Sequence, residues 1–394
     1  MTVPDASRIA VVTHFPSPYQ VELFNEVERQ RPGRLRVYYL FRTAASRRWS
    51  GASIAHDHVY LDETSIDTIR GEIEGAAYVV FNYYNDARAA RLIRIRDASR
   101  GPWCFWGERP GYRFPWLARV ARIGRLAPLR SDDHPIWGIG RWAVEAYRKE
   151  FGATRSYLNL PYYSNLSRFK CSPPAFVGSG VTFLFSGSLS HRKGVDLLAR
   201  AFVRLAAKYP HVRLKLMGEG HLEPRLRHQL ASCDRVEWVG FKDWDELPAV
   251  YASAQVLCVP SRHDGWGLVV PEALATGLPT IATNRTGAAI DLIETRRNGW
   301  LVPAEDEDAL YRAMAQAATL SETDWRAMSR HALASVAAHS LAHGATRFLN
   351  GVDAAIATPT GAAGRACGQG PVRYSKGACV TYDQTWAPAK YWSS

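Results

Sequence analysis

The sequence of 394 residues has no run of about 18 apolar residues, so no stretch of it reads as a membrane-spanning helix. Residues Met1 to Ser7 hold neither a basic stretch nor an apolar core, and no secretory leader is expected. Cysteine is sparse. The six, at 104, 171, 233, 258, 367 and 379, form no C-x-x-C pair, and no Cys/His group has zinc-ligand spacing, which argues against a structural zinc. Reduced thiols in a cytosolic protein are the expectation, with Cys258 a small core residue in an apolar run. Cys367 and Cys379 are the one pair to watch for a disulfide. No repeat of solenoid period and no known nucleic-acid-binding motif is present.

What is present fits a globular chain. Hydrophobic residues make up 47% and charged residues 22%, and the length suits two domains better than one core. The formal net charge is +12. Residues 1–175 hold 26 Lys and Arg against 17 Asp and Glu, and the remainder 23 against 20. The basic excess therefore sits in the first half, where it would attract phosphates, nucleic acid or an anionic membrane.

Short apolar runs alternate with helical periodicity along both halves. Strands are expected at 9–13, 35–40, 77–81, 103–106 and 136–139, and a helix from Pro18. In the second half strands are expected at 181–185, 213–217, 236–239, 256–259 and 279–282. Helices are expected at 195–209 and from Pro271 to Ala275, with Gly277 just past the end. Such alternation predicts an α/β protein of two doubly wound parallel sheets, Rossmann-like, facing a cleft. Domains are expected at 1–172, 173–340 and 341–394, the last a helix and an irregular tail returning toward the first half. The proline-rich stretch Cys171-Ser-Pro-Pro174 marks the hinge.

Two segments carry the chemistry. In Asp264-Gly-Trp-Gly-Leu-Val-Val-Pro-Glu272, glycines flank an aromatic after a buried strand, and a helix follows with Glu272 in its first turn. Backbone N–H groups of such a loop suit a negative group, and a nearby carboxylate can accept from vicinal sugar hydroxyls. A strand–turn–helix with an ordinary acidic first turn is the plain alternative. The second segment is Phe185-Ser-Gly-Ser-Leu-Ser-His-Arg-Lys-Gly194. Lys193 stands at a helix start, where the dipole disfavours a cation. A nearby anion would remove the conflict; a solvated lysine is the alternative.

Together these segments resemble the donor domain of family 4 retaining glycosyltransferases, which have the GT-B fold. The resemblance runs from about 181 to 305, through Ser186-Gly187 to Arg192-Lys193-Gly194, Met217-Gly-Glu-Gly220, Val239-Gly240, Pro260-Ser261, Asp264 to Glu272 and Asn298-Gly-Trp-Leu-Val302. The first half is similar only through Pro18-Tyr19-Gln-Val-Glu-Leu-Phe-Asn25. The resemblance implies that Glu272 binds ribose hydroxyls. Asp264 faces the donor sugar with Gly265 and the N–H groups of Trp266, Gly267 and Leu268. Lys193 neutralises the diphosphate beside Gly187 and Ser188, and Val239, Gly240 and Phe241 hold the base. Two departures stand out: Asp264 replaces the family's first glutamate, and Ser188 stands where an arginine is usual. Arg192 is the candidate for the missing cation.

On the acceptor side, Glu108 follows the fourth expected strand and faces the cleft. It either orients an acceptor hydroxyl or pairs with Arg109 or Arg113. His14, after the first strand, and Tyr19 complete the acceptor candidates. A helical wheel over 113–125 puts Trp116, Leu117, Val120 and Ile123 on one side and Arg119, Arg122 and Arg125 on another. That pattern fits either a helix lying on anionic lipid or a domain helix with its arginines in water. Asp243-Trp-Asp245 matches the D-x-D of metal-dependent relatives of another fold, yet Glu246 makes it a capping box.

The expected function is transfer of a hexose from a nucleotide-diphosphate sugar to a glycan or lipid-linked acceptor in cell-surface polysaccharide or glycolipid synthesis. Retention at the anomeric carbon, no metal and no cofactor beyond the donor substrate are expected, in the cytoplasm or peripherally on the inner face of the cell membrane. A nucleotide-sugar epimerase or hydrolase of the same fold, and a basic nucleic-acid-binding protein, are the other readings.

Overall fold

The computed structural model describes residues 8–43, 53–110, 120, 122–131, 134–170 and 180–357. All of these fall within one compact unit, Met1–Pro359. The chain forms a GT-B fold of two parallel sheets. The first holds β1 (Ile9–Thr13), β2 (Leu35–Tyr39), β3 (Asp57–Tyr60), β4 (Tyr78–Phe81), β5 (Trp103–Gly107), β6 (Ile136–Gly138) and β7 (Tyr157–Asn159), in the spatial order 3-2-1-4-5-6-7. The second holds β8 (Val181–Ser186), β9 (Val212–Met217), β10 (Val236–Gly240), β11 (Val256–Val259), β12 (Thr280–Thr283) and β13 (Gly299–Val302), ordered 10-9-8-11-12-13.

Central strands such as β1, β4 and β11 are buried at every position, as expected where helices cover both faces of a parallel sheet. Their continuous apolar runs made them legible. The edge strands β3 (Asp-His-Val-Tyr) and β7 (Tyr-Leu-Asn) contain no fully buried residue, and their mixed sequences gave no such signal; neither was expected, nor was β13. The helix expected to start at Pro271 begins two residues earlier, at Val269, so Pro271 is its third residue. Gly277 follows it with φ +82°, in the left-handed region that favours glycine. The proposed hinge at 171–174 and the tail from 358 lie outside the described residues.

In both sheets the chain order reverses between two neighbouring central strands, β1 and β4 in the first and β8 and β11 in the second. Loops leaving such a pair diverge and open a crevice at the strands' C-terminal ends. In the second sheet these are the loops that carry Lys193 and Asp264. In the first they carry His14 and Tyr83, whose rings stack at 4.2 Å.

The two lobes share an apolar core. Trp266, from the loop after β11, is 2% exposed and belongs to one buried cluster with Trp106, Trp137 and Phe348. Its ring lies so close to Gly140 that a Cβ there would sit 3.0 Å from Cζ3. Gly140, at φ +88°, caps the helix Arg141–Phe151 without a side chain. The cap comes from the other lobe: the Arg141 N–H donates to both carboxylate oxygens of Asp291 at 3.2 Å. Arg141 Nε at 3.1 Å and Asn159 Nδ2 at 3.0 Å reach the same group. The last described helix, Leu341–Ala357, packs on the helix Pro18–Gln30, with Phe348 against Phe24 and an Arg31–Asp353 ion pair.

Asp291 thus supplies a helix cap and three charge-assisted donors with their acceptor. Asp291→Ala is expected to lower stability by about 1–3 kcal/mol, read as a lower thermal midpoint. An unchanged midpoint would show that Asp291 contributes nothing to holding the lobes.

Candidate functional site

The loop after β8 turns through Gly187 (φ +147°) and a 3₁₀ turn, His191–Lys193, before Gly194 opens the helix Val195–Lys208. Gly194 is fixed by space as well as by its φ of +69°, since a Cβ there would lie 1.9 Å from the Pro260 carbonyl oxygen. This contact docks the β8 loop onto the β11 loop. Arg262, from the latter, reaches back to Asp196 at 2.7 and 2.8 Å and to the His191 carbonyl at 2.6 Å.

Between the docked loops, Lys193 Nζ lies 2.5 Å from Asp264 Oδ2, 71 residues away in sequence. This carboxylate answers the conflict of a lysine at a helix start. Arg192 donates to the His263 carbonyl at 3.0 Å and lies 3.9 Å from Asp264 Oδ1. Ser188 is exposed, its Oγ 3.0 Å from that of Ser190. Among the described residues no acceptor takes the N–H groups of Trp266, Gly267 or Leu268. Gly267, at φ +91°, brings the chain close to Asp264 Oδ2. Three open donors beside a carboxylate and an ammonium suit an oxygen-rich, anionic ligand.

Glu272 lies in the first turn of the helix Val269–Ala275 and is 4% exposed. Burial pushes its carboxyl up to about 7 against the lowering pull of the Tyr251 hydroxyl, Arg168 and Lys193. Through Tyr251, Glu272 is linked to Ser186, next to Gly187, where a Cβ would lie 3.8 Å from Lys193 Cε. Tyr251 donates to Glu272 Oε2 at 3.0 Å, and its oxygen lies 3.1 Å from Ser186 Oγ. Sequence reasoning missed Tyr251; nothing local marks a tyrosine on the short helix Leu247–Ala252 as a carboxylate partner. Nearby, β10 ends at Val239 and Gly240 (φ +73°), with a register shift against β9, and Phe241 is 37% exposed. Asp243 belongs to a turn: its N–H donates to the Glu246 carboxylate at 3.0 Å, half of a capping box.

Glu108, at the end of β5, reaches across from the first lobe. A Cβ on Gly265 would lie 1.9 Å from its Oε2. Desolvation in the cleft raises its pKa, as does Asp264, while Arg192, Lys193 and the Tyr162 hydroxyl lower it. Among the described residues it has no ion pair with Arg109, which instead stacks over Trp142 at 4.0 Å; Arg113 lies outside them. Tyr19 packs on Tyr162 at 4.7 Å. The ring of His14 meets those of Tyr83, Phe15 and Phe41.

The expected division of the 113–125 helix into lipid-facing apolar and arginine sides is overturned at Arg122. Its guanidinium is 5% exposed and bonds Glu150 at 3.0 and 3.2 Å, because a carboxylate on the helix Arg141–Phe151 draws it inward. Arg125 bonds Asn85. Val120 and Ile123 are 60% and 43% exposed. Trp116 and Arg119 lie outside the described residues. No described helix is long and apolar enough to cross a membrane.

Residues 180–319 match the family model "Glycosyl transferases group 1". Over 134 residues the chain is 33% identical to an uncharacterized glycosyltransferase of Haemophilus influenzae, covering 34% of this chain and 38% of that protein. Over 248 residues it is 30% identical to the GDP-mannose-dependent alpha-(1-6)-phosphatidylinositol monomannoside mannosyltransferase of Mycobacterium tuberculosis, covering 58% and 62%. The chain therefore spans less than two thirds of either relative's length. The crystal structure of Anabaena Alr3699/HepE in complex with UDP superposes with a TM-score of 0.71 at 15% identity, over 88% of this chain and 100% of that one. By the match over 180–319 and these relatives, the second lobe is similar to glycosyltransferases of the family 4 type, and with its two parallel-sheet lobes the chain has the GT-B fold.

Proposed function

We propose that the chain transfers a hexose from a nucleotide-diphosphate sugar to a hydroxyl of a glycan or lipid-linked acceptor, with retention at the anomeric carbon and without a metal ion. The observation that carries this reading is the convergence of Lys193, Asp264, Glu272 and three open N–H groups at the C-terminal ends of β8 and β11. The bond from the anomeric carbon to the phosphate oxygen breaks, and the acceptor oxygen takes its place. The acceptor's proton leaves with the diphosphate. Negative charge builds on that leaving group, and an ammonium with three donors can meet it while still holding Asp264. Glu272, with one oxygen held by Tyr251, has its remaining acceptor capacity for ribose hydroxyls. Glu108 and Tyr162 lie where an acceptor hydroxyl would approach. The names of the mycobacterial relative, which specify GDP-mannose and a phosphatidylinositol mannoside, support a nucleotide-sugar donor and a lipid-linked acceptor. Those of two colanic acid glycosyltransferases support a polysaccharide role.

The exposed pair Val120 and Ile123 supports peripheral contact with an anionic membrane on the cytoplasmic face, made by apolar side chains and without Arg122.

Lys193→Ala is expected to reduce sugar transfer by about 10²–10³-fold, with the thermal midpoint confirming a folded protein. Full activity in that variant would overturn the role of Lys193. Donor loss in the absence of any acceptor would instead favour a hydrolase.

Glu272 makes a second prediction. A carboxyl raised from 4.5 to about 7 stays protonated in the folded chain after the unfolded chain has lost its proton. Stability therefore falls as pH rises through that window, by roughly 3 kcal/mol. Glu272→Gln removes this fall, which denaturant unfolding at pH 5 and 8 would register. Ribose hydroxyls donate to the charged form, so nucleoside-diphosphate affinity is expected to rise about tenfold from pH 6 to 8 in the native protein and to stay flat in the variant.

For the membrane contact, Val120→Ser/Ile123→Ser is expected to reduce cosedimentation with anionic vesicles severalfold. Undiminished binding would place the contact elsewhere.

A further inference from the structure

Four cationic side chains, Lys193, Arg192, Arg109 and Arg285, gather at the mouth of the cleft, and the last two are not accounted for by the donor site. Lys193 is held by Asp264, and Arg192 is anchored on the His263 carbonyl. Arg109 belongs to the other lobe, one residue beyond Glu108. It stacks over Trp142 at 4.0 Å, and Trp142 lies 5.3 Å from the ring of His263. Arg285 follows β12; its carbonyl accepts from the Asp264 N–H at 2.9 Å, which fixes its backbone beside the site. Its side chain is 54% exposed, and its nearest described carboxylate, Glu305, is 3.9 Å away and also serves Arg262 at 3.4 Å. Among the described residues Arg109 has no carboxylate within ion-pair distance.

Desolvation lowers the pKa of Arg109, and the charge of Arg285 lowers it further. His263 is buried, and three neighbouring guanidiniums, Arg109, Arg192 and Arg285, help push it down to about 4 against the pull of Asp264. It stays neutral and offers no relief. A half-buried arginine 4.0 Å above an indole, with the charge of a second arginine from the opposite lobe acting on it, is an arrangement that an oxyanion would satisfy with several charge-assisted bonds.

We infer that Arg109 and Arg285 form an anion clamp for an acidic group on the acceptor, a phosphate or a carboxylate close to the hydroxyl that receives the sugar. The inference rests on the donor site assigned above. Lys193 and the β8 loop serve the diphosphate from the second lobe. Arg109 comes from the first lobe, next to Glu108, where the acceptor hydroxyl would lie. An anion between Arg109 and Arg285 would also tie the lobes together once the acceptor is in place, and a neutral sugar would leave Arg109 half-buried with no described carboxylate beside it.

The test is calorimetric titration of the full chain at low salt, saturated with UDP or GDP, using glucose 6-phosphate, methyl glucuronide and methyl glucoside as probes. At least one acidic probe is expected to bind about tenfold or more tightly than the neutral glucoside. Arg109→Gln and Arg285→Gln should each remove most of that preference, and Arg109→Lys should restore part of it. Nucleoside-diphosphate affinity should stay within about twofold in all three variants. A phosphate-only preference would identify a phosphorylated acceptor, and a glucuronide preference an acidic glycan. Equal binding of all probes by the native protein, with the nucleotide bound, would overturn the clamp alone. Loss of nucleotide affinity in the glutamine variants would assign both arginines to the donor diphosphate and also overturn it. Failure of the native protein to bind any nucleoside diphosphate would instead overturn the donor site itself.

Discussion

The contact between the Lys193 ammonium and the Asp264 carboxylate, at 2.5 Å, is the constraint around which the rest of the site is arranged. It joins the loops after β8 and β11, the two neighbouring strands at which the chain order of the second sheet reverses. Either charge alone, in a cleft this far from bulk water, would carry a desolvation penalty that only a partner can offset. The loops are brought to the right distance by backbone contacts as well: Gly194 against the Pro260 carbonyl, and Arg262 against Asp196 and the His191 carbonyl. The ion pair is thus the outcome of a docked pair of loops and not their sole fastening. That permits the ammonium to turn partly toward a ligand without the site coming apart.

Around this pair the polar groups are of two kinds. Some are met within the protein, such as Asp291 under its three donors or Glu150 under Arg122. Others are left open: the N–H groups of residues 266–268, the second oxygen of Glu272, and Arg109 on its indole. Buried or half-buried polar groups without partners are costly. Three open N–H groups, a carboxylate oxygen and a guanidinium gathered at one place suit a polar ligand. The same cleft is narrow because Trp266 and Asp291 bind the second lobe to Gly140 and Arg141 of the first, which brings Glu108 up against Gly265.

Much of the fold was legible because central strands of a parallel sheet must be apolar on both faces. The runs at 9–13, 181–185 and 256–259 could hardly be anything else. Edge strands face fewer demands, and β3 and β7 escaped notice because half-exposed Asp57, His58, Tyr157 and Asn159 carry no alternation to detect. Arg122 misled for a related reason. A helical wheel shows which residues share a side and not which side another element will neutralise, and Glu150 lies 28 residues further along the chain.

The sequence by itself determined the two-lobed α/β architecture, the glycine-rich loops and the residue types gathered in them, because periodicity, glycine and charge are local properties. Only the tertiary structure decided which charges meet. Lys193 with Asp264, Tyr251 with Glu272, and Arg109 with Trp142 are pairings across 71, 21 and 33 positions. They depend on strand order and on the angle between lobes, and a linear pattern contains neither.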